Sequence, residues 1–183
     1  MSHIPVRLIA AVFVALTGAC TGGSTAAITS KADAASPGVY GRVLVAGRLG
    51  AGTPQMQAFP AHLAAGLRSC GIEPDVVIGW VNPALALEGD AVSRGVAERR
   101  AVGRAAVLEV DGVDFDNGQG LLRWTYALRL RAADGATIWR ARFDFTPSFG
   151  WGYNDPGADL ARMIVERMAT DGVLRSCPAA RRA

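Results

Sequence analysis

The 183-residue sequence is poor in the side chains that most site chemistry requires: 2 histidines, 3 cysteines and a single lysine, Lys31. No Cys-x-x-Cys occurs, and His62 is the one histidine beyond the extreme N-terminus, so a zinc site lacks ligands. A serine hydrolase needs a base beside its nucleophile. His62 is expected on a half-exposed helix, and there is no Gly-x-Ser-x-Gly elbow, so His62 reads as a surface or packed residue. Gly47-Arg48-Leu49-Gly50 with Gly52 lacks the Gly-Lys-Ser/Thr ending of a phosphate-cradling loop. Asp114-Phe115-Asp116-Asn117-Gly118 lacks the remainder of a calcium loop, including its terminal Glu. No basic cluster is interleaved with aromatics, which argues against nucleic-acid binding. Nor does any apolar run reach the roughly 20 residues that a bilayer-spanning helix needs. No cofactor and no metal are expected, and the chain does not read as an enzyme.

What is present is a substantial apolar fraction, 50% of residues, enough for a core in one domain plus an extension. The formal net charge is only +3, with arginine supplying almost all of the positive charge. At the N-terminus Arg7 precedes an apolar run from Leu8 to Leu16, followed by Thr17-Gly18-Ala19-Cys20. Too short to cross a membrane, this segment resembles the bacterial lipoprotein signal, in which small residues precede an acylated cysteine. The resemblance implies a signal peptide over 1–19, cleavage after Ala19, and lipid on Cys20. Acyl burial yields about 0.8 kcal/mol per methylene, so several chains together hold a protein on a membrane. The alternative is an ordinary secretory signal cleaved near Ala19. Thr21 stands where an aspartate would retain an enteric lipoprotein at the inner membrane, which leans toward the periplasmic face of the outer membrane.

Export would place Cys70 and Cys177 in an oxidising compartment, where an even pair suggests one disulfide. The alternative is two unpaired thiols. Residues 20–38, rich in Gly, Ser, Thr and Ala, read as a lipid-anchored flexible linker with a coil reach of about 25 Å. A single α/β domain of the α+β type is expected over 39–178, with a disordered tail at 179–183.

The first strand is read at Arg42–Leu49, where Val43-Leu44-Val45-Ala46 is continuously apolar, as in a strand covered on both faces. Thr53 and Pro54 read as the N-cap and first turn of a helix whose inner face is Met56, Phe59, Leu63, Leu67 and Cys70. Pro60 should kink that helix or delay its start, and Gly71 should end it in a left-handed cap. A second strand follows at Asp75–Val81, then a weaker helix within Leu85–Val102. Three antiparallel strands are expected at Ala105–Asp114, Leu121–Ala132 and Ala136–Phe145, and a last helix starting at Asp155 and Pro156. The predicted architecture is a mixed sheet of about five strands, in the order β-α-β-α-β-β-β-α, with helices packed on it.

Asp134-Gly135 suggests a two-residue hairpin turn pairing Leu130 with Trp139, Leu128 with Ala141, Tyr126 with Phe143 and Trp124 with Phe145. A one-residue slip would turn every arginine inward. For the preceding hairpin a two-residue turn at Asn117-Gly118 would bury Glu109 and Asp111, at a cost of several kcal/mol. A three- or five-residue loop, pairing Val110 with Tyr126 and Leu108 with Leu128, keeps both acids outside. There they join Arg123, Arg129, Arg140 and Arg142 in a solvated ladder, a poor setting for a glycosidase acid pair. Phe149, Trp151 and Tyr153, set between glycines, are the candidate partner contact, or else close the sheet edge.

Three stretches together carry a family resemblance: Ala101-Val102-Gly103-Arg104-Ala105-Ala106-Val107-Leu108, Asp134-Gly135-Ala136-Thr137-Ile138-Trp139-Arg140, and the closing helix with Asp171-Gly172-Val173-Leu174. Over roughly residues 40 to 175, in element order, the chain resembles periplasmic lipoproteins of the curli-secretion and penicillin-binding-protein-activator type. It is similar also to the amino-terminal domain of the Tol-system propeller protein. The resemblance implies a non-catalytic domain that binds envelope proteins or assembles into rings. The expectation is a membrane-tethered binding or assembly module with an envelope-protein partner or self-association. The alternatives are an enzyme acting on an envelope polymer and a small-molecule or lipid carrier.

Overall fold

A computed structural model describes residues 23–32, 41–50, 56–81, 106–116, 122–148, 155–174 and 177. In chain order the elements are β1 (Thr25–Ala32), β2 (Arg42–Gly50), α1 (Phe59–Ser69), β3 (Glu73–Val81), β4 (Ala106–Asp116), β5 (Arg123–Arg131), β6 (Thr137–Thr146) and α2 (Pro156–Thr170). The strands form one mixed sheet of 6 strands in the order β1-β6-β5-β4-β2-β3. β2 pairs in parallel with both β3 and β4, and the remaining pairs are antiparallel. The fold class is thus the expected α+β, with one strand more than anticipated. The segment read as a signal peptide, the helix expected within Leu85–Val102 and the expected 179–183 tail lie outside the described residues.

The additional strand corrects the reading of residues 20–38 as a coil over Thr25–Ala32; residues 20–22 and 33–38 lie outside the described residues. β1 lies along β6, its register running from Thr25 opposite Thr146 to Ala32 opposite Trp139. Its alternation of half-buried and exposed positions places Ala26 and Ile28 against the core. One large apolar residue in this strand is a weak signal in the sequence, and the pairing surface offered by β6 supplies the rest.

Both α1 and α2 pack on one face of the sheet. Phe59, Leu63 and Leu67 of α1 and Leu160, Ile164 and Met168 of α2 share a core with Val43, Val45, Leu108, Val110, Leu128, Trp139, Phe143 and Phe145. Leu44 and Ala46 of β2 point the other way and form a second small cluster with Val107. The continuous apolar run of β2 is therefore buried on both sides, as its composition predicted. Gly47 faces Val110 across the β2–β4 pair so closely that a Cβ there would overlap the Val110 carbonyl.

α1 starts at Phe59, later than the Thr53-Pro54 reading. Pro60 sits in its first turn, the only part of a helix where a missing N–H and a bulky ring do no harm. Gly71, at φ 77°, ends it as expected, with Gly71 N–H donating to Arg68 O and Ile72 N–H to Leu67 O. α2 is capped as read: the Asp155 carboxylate accepts the Ala158 N–H at 3.0 Å.

The four β5–β6 pairs anticipated from patterning are all present. The turn differs in detail. Gly135, at φ 91°, donates to Ala132 O, and Ala132 N–H donates to Ala136 O, so the loop holds Ala133, Asp134 and Gly135. A register shift beside Leu130 then restores the alignment of the large residues. Burial of Trp139, Phe143 and Phe145 outweighs the choice of turn. The β4–β5 pairing also differs from expectation. Val110 lies opposite Leu128 and Leu108 opposite Leu130, two residues from the anticipated register, and Asp116 pairs with Arg123, beyond a three- or five-residue loop. Face assignment survives because the offset is even. A second shift between Gly112 and Asp114 leaves Val113 out of the pairing.

Candidate functional site

Cys70, at the end of α1, and Cys177, beyond α2, are joined in a disulfide. Both are buried. The bridge and a close helix contact at Gly66, where a Cβ would come within 2.9 Å of Val165 Cγ2, clamp the two helices together. At the other end of the pair, His62 Nε2 lies 2.8 Å from Asp155 Oδ2. His62 is therefore bound to the N-cap residue of α2. Burial acts to raise the Asp155 carboxyl, but the Ala158 amide and the His62 ring hold it below the usual carboxylate range.

The N-terminal segment is fastened by polar contacts of large sequence separation. The Ser24 amide donates to Asp159 Oδ2 at 3.2 Å, and Ser24 Oγ accepts the Ser148 amide at 3.1 Å. Further along β1, Ser30 Oγ donates to Asp171 Oδ2 at 2.5 Å and accepts from Arg167 Nε at 2.6 Å. The same Asp171 oxygen accepts the indole N–H of the fully buried Trp139 at 2.8 Å, while Arg167 pairs with the other oxygen at 3.0 Å. Burial favours the neutral acid at Asp171. The Ser30 and Trp139 hydrogen bonds and the Arg167 guanidinium outweigh it and keep the carboxylate ionised well into the acid range. One acid thus joins β1, β6 and both the last turn and the cap of α2. Nothing in the local sequence around any of these residues announces the cluster.

On the sheet face away from the helices, Arg131 Nε donates to Glu109 Oε2 at 3.1 Å and Arg142 Nε to Asp144 Oδ1 at 3.1 Å. Thr125 Oγ also donates to Asp144, at 2.8 Å, and this contact leads the effects that lower the Asp144 pKa. Glu109 and Asp111 are on this face beside arginines, as read. Arg140 faces Lys31 on one side and Arg129 on the other.

Asp114 and Asp116 are exposed on the far end of β4. No group of three potential metal ligands comes together among the described residues. At the same end Phe115 is exposed and stacks on Trp124, which stacks on Phe145 in turn. Cys20, Phe149, Trp151 and Tyr153 lie outside the described residues. No described helix is long and apolar enough to cross a membrane. The shifted carboxylates at Asp144, Asp155 and Asp171 are each bonded to groups of the fold, on three separate parts of the molecule.

No protein-family model matches the chain, and no curated protein matches it. Among solved structures it is similar to a PelC dodecamer from Paraburkholderia phytofirmans in a single-substitution variant. The identity is 14%, with 82% of this chain and 98% of that one covered, at a TM-score of 0.47. A second crystal form of the PelC dodecamer from the same organism gives 21% identity over the same shares, at a TM-score of 0.45.

Proposed function

We propose that the chain is a lipid-anchored protein of the cell envelope, acting as a non-catalytic binding or assembly module on the periplasmic face, with the outer membrane as its site. The reading rests on the N-terminal segment: from Ser24 onward it is part of the folded domain, immediately after the lipobox-like Leu16–Cys20 stretch. Four residue steps, at most roughly 14 Å of chain, connect Cys20 to Ser24. A lipid on Cys20 would hold the domain against the bilayer rather than on a long tether.

The non-catalytic part of the reading is supported by how the acids are used. Asp155 caps a helix, Asp171 accepts three donors, and Asp144 ties Thr125 to Arg142. The carrier alternative is disfavoured because Trp139, Phe59, Phe143 and Phe145 fill the space between sheet and helices.

Metabolic labelling with palmitate, in the presence and absence of globomycin, tests the anchor. We expect label on the wild type, none on Cys20→Ala, and accumulation of an unprocessed form under globomycin. An unlabelled protein recovered from the cytosol with its first nineteen residues intact would overturn the reading. Crosslinking from native membranes tests the module: envelope-protein or self-crosslinks are expected, and a species that never crosslinks would count against it.

A further inference from the structure

β1 and β3 are the two edges of the sheet. The Glu73 N–H donates to Gly41 O at 2.9 Å, on the β2 side. Backbone polar groups alternate along a strand, so Asp75 and Val77 also turn theirs to β2, while Pro74, Val76 and Ile78 turn theirs outward. Pro74 suits that position, having no N–H to leave unpaired. The same alternation, followed through the registers of β4, β5 and β6, leaves Ala26, Ile28 and Ser30 facing outward on β1. The hairpin bond from Ala132 N–H to Ala136 O gives the same parity. Among the described residues no strand lies beyond either edge. Neither edge carries the devices that blunt one: β1 pairs without a register shift and has no proline, and β3 has no proline or charge after Asp75. Each edge is a template for a further strand.

We propose that copies of this chain join edge to edge, β3 of one pairing antiparallel with β1 of the next. The inference deepens the assembly-module reading and rests on it for the shared membrane. β1 and β3 run in opposite directions within one copy, so this pairing leaves every copy the same way up. The Thr25 end of β1, the end nearest Cys20, then lies on one side throughout. Pairing β3 with β3 of a second copy would turn one of the two over and carry its anchor to the far side. Charge selects the same edge. β3 has its acids, Glu73 and Asp75, at its start and no cation, whereas β1 has Lys31 next to its end and no acid. Antiparallel pairing brings those ends together. With Ile78 opposite Ile28 of the neighbouring copy, Val77 lies opposite its Thr29, Val76 opposite its Ser30 and Asp75 opposite its Lys31. Opposed residues share a face, so the isoleucines meet on the helix side and the charges on the other. A slip of two residues one way would set Ser30 against Pro74 and lose a hydrogen bond. A slip the other way would set Lys31 against Val77.

The test uses the full-length protein in native membranes, with Thr29→Cys and Val77→Cys carried by separate, differently tagged copies. Opposed residues that are not hydrogen-bonded have Cα atoms about 4.5 Å apart, within disulfide range. Under mild oxidation we expect a mixed dimer of the two variants and no dimer from either alone. Ile78→Pro in the Val77→Cys copy removes an outward N–H without touching the β2 pairing, and should lower the yield about fivefold or more. Asp75→Lys in that copy should lower it too, and Lys31→Glu in the other copy should restore it, which a damaged fold would not allow. Absence of the mixed dimer, or a yield that neither Ile78→Pro nor Asp75→Lys lowers, overturns the proposal. So does a Val77→Cys dimer formed alone, which would assign the edge to a two-fold contact. A Val77→Cys adduct with a protein of another size, in place of the mixed dimer, would overturn it in favour of a foreign strand. A mixed dimer formed by a chain that takes no palmitate label would instead remove the anchor and leave the edge contact standing.

Discussion

Replacing Asp171 by alanine removes an acceptor shared by Ser30, Trp139 and Arg167 and leaves a buried indole N–H without a partner. An unsatisfied buried donor and a stranded guanidinium together predict a loss of about 2–4 kcal/mol, measurable by urea unfolding. Asp171→Asn keeps one oxygen and should lose less. His62→Ala acts on a pair whose side chains are each 40% exposed, so a loss of no more than about 1 kcal/mol is expected. Asp155 and Asp171 titrate below the ordinary carboxylate value in the fold, and return to about 3.9 in the unfolded chain. As pH falls, the unfolded chain takes up these protons first. Their contribution is therefore complete above about pH 5, declines through pH 4, and is gone below the folded values. Melting temperature against pH should show that decline in the wild type and a shallower one in Asp171→Asn.

Two elements show how packing and sequence signal can part company. β1 carries one large apolar residue, Ile28, in an edge strand otherwise composed of small and polar residues, so its alternation is lost among Thr, Ser, Ala and Lys. Its place is set by Ser24 and Ser30 reaching acids more than a hundred residues away, a pairing that no local pattern encodes. Hydrogen exchange should find the β1 amides bonded to β6 protected to a degree comparable with β6, whereas a coil would exchange at once. β5 and β6 were legible, by contrast, because Trp124, Tyr126, Leu128 and Leu130 alternate with three arginines, Thr125 and Ala127, and any odd slip would bury charge. The even offset between β4 and β5 escaped for the same reason, since parity is all that alternation can specify. On α1, Gly66→Ala sets a helix-propensity gain of about 1 kcal/mol against overpacking of Val165, typically about 1–3 kcal/mol. Alone it should be neutral or destabilising. In a Val165→Ala background it should turn stabilising, by roughly 0.5–1 kcal/mol, and a double-mutant cycle measures the coupling.

For the molecule as a whole, the Cys70–Cys177 bridge spans 107 residues and encloses β3 to α2. Chain-entropy arguments give about 4–5 kcal/mol for a loop of this size, with measured values usually smaller. The Cys70→Ala/Cys177→Ala variant should therefore unfold at lower urea by about 2–4 kcal/mol, which equilibrium denaturation would check. The pairing was open in the sequence because nothing there brings the end of α1 near the residues after α2. The side-by-side, parallel packing of α1 and α2, with Val165 against Gly66, supplies the proximity.

The docking of Ser24 on Asp159 and Ser148 carries a consequence for how an acylated population would behave. A protein on a long leash samples every tilt, and two such proteins meet in a different pose each time. With so few residues between thioether and strand, neighbouring copies would diffuse in two dimensions, upright and alike, presenting the same flank to whatever passes. Collisions would then repeat one geometry, and a contact too weak to be seen in dilute solution could build an ordered patch on the bilayer.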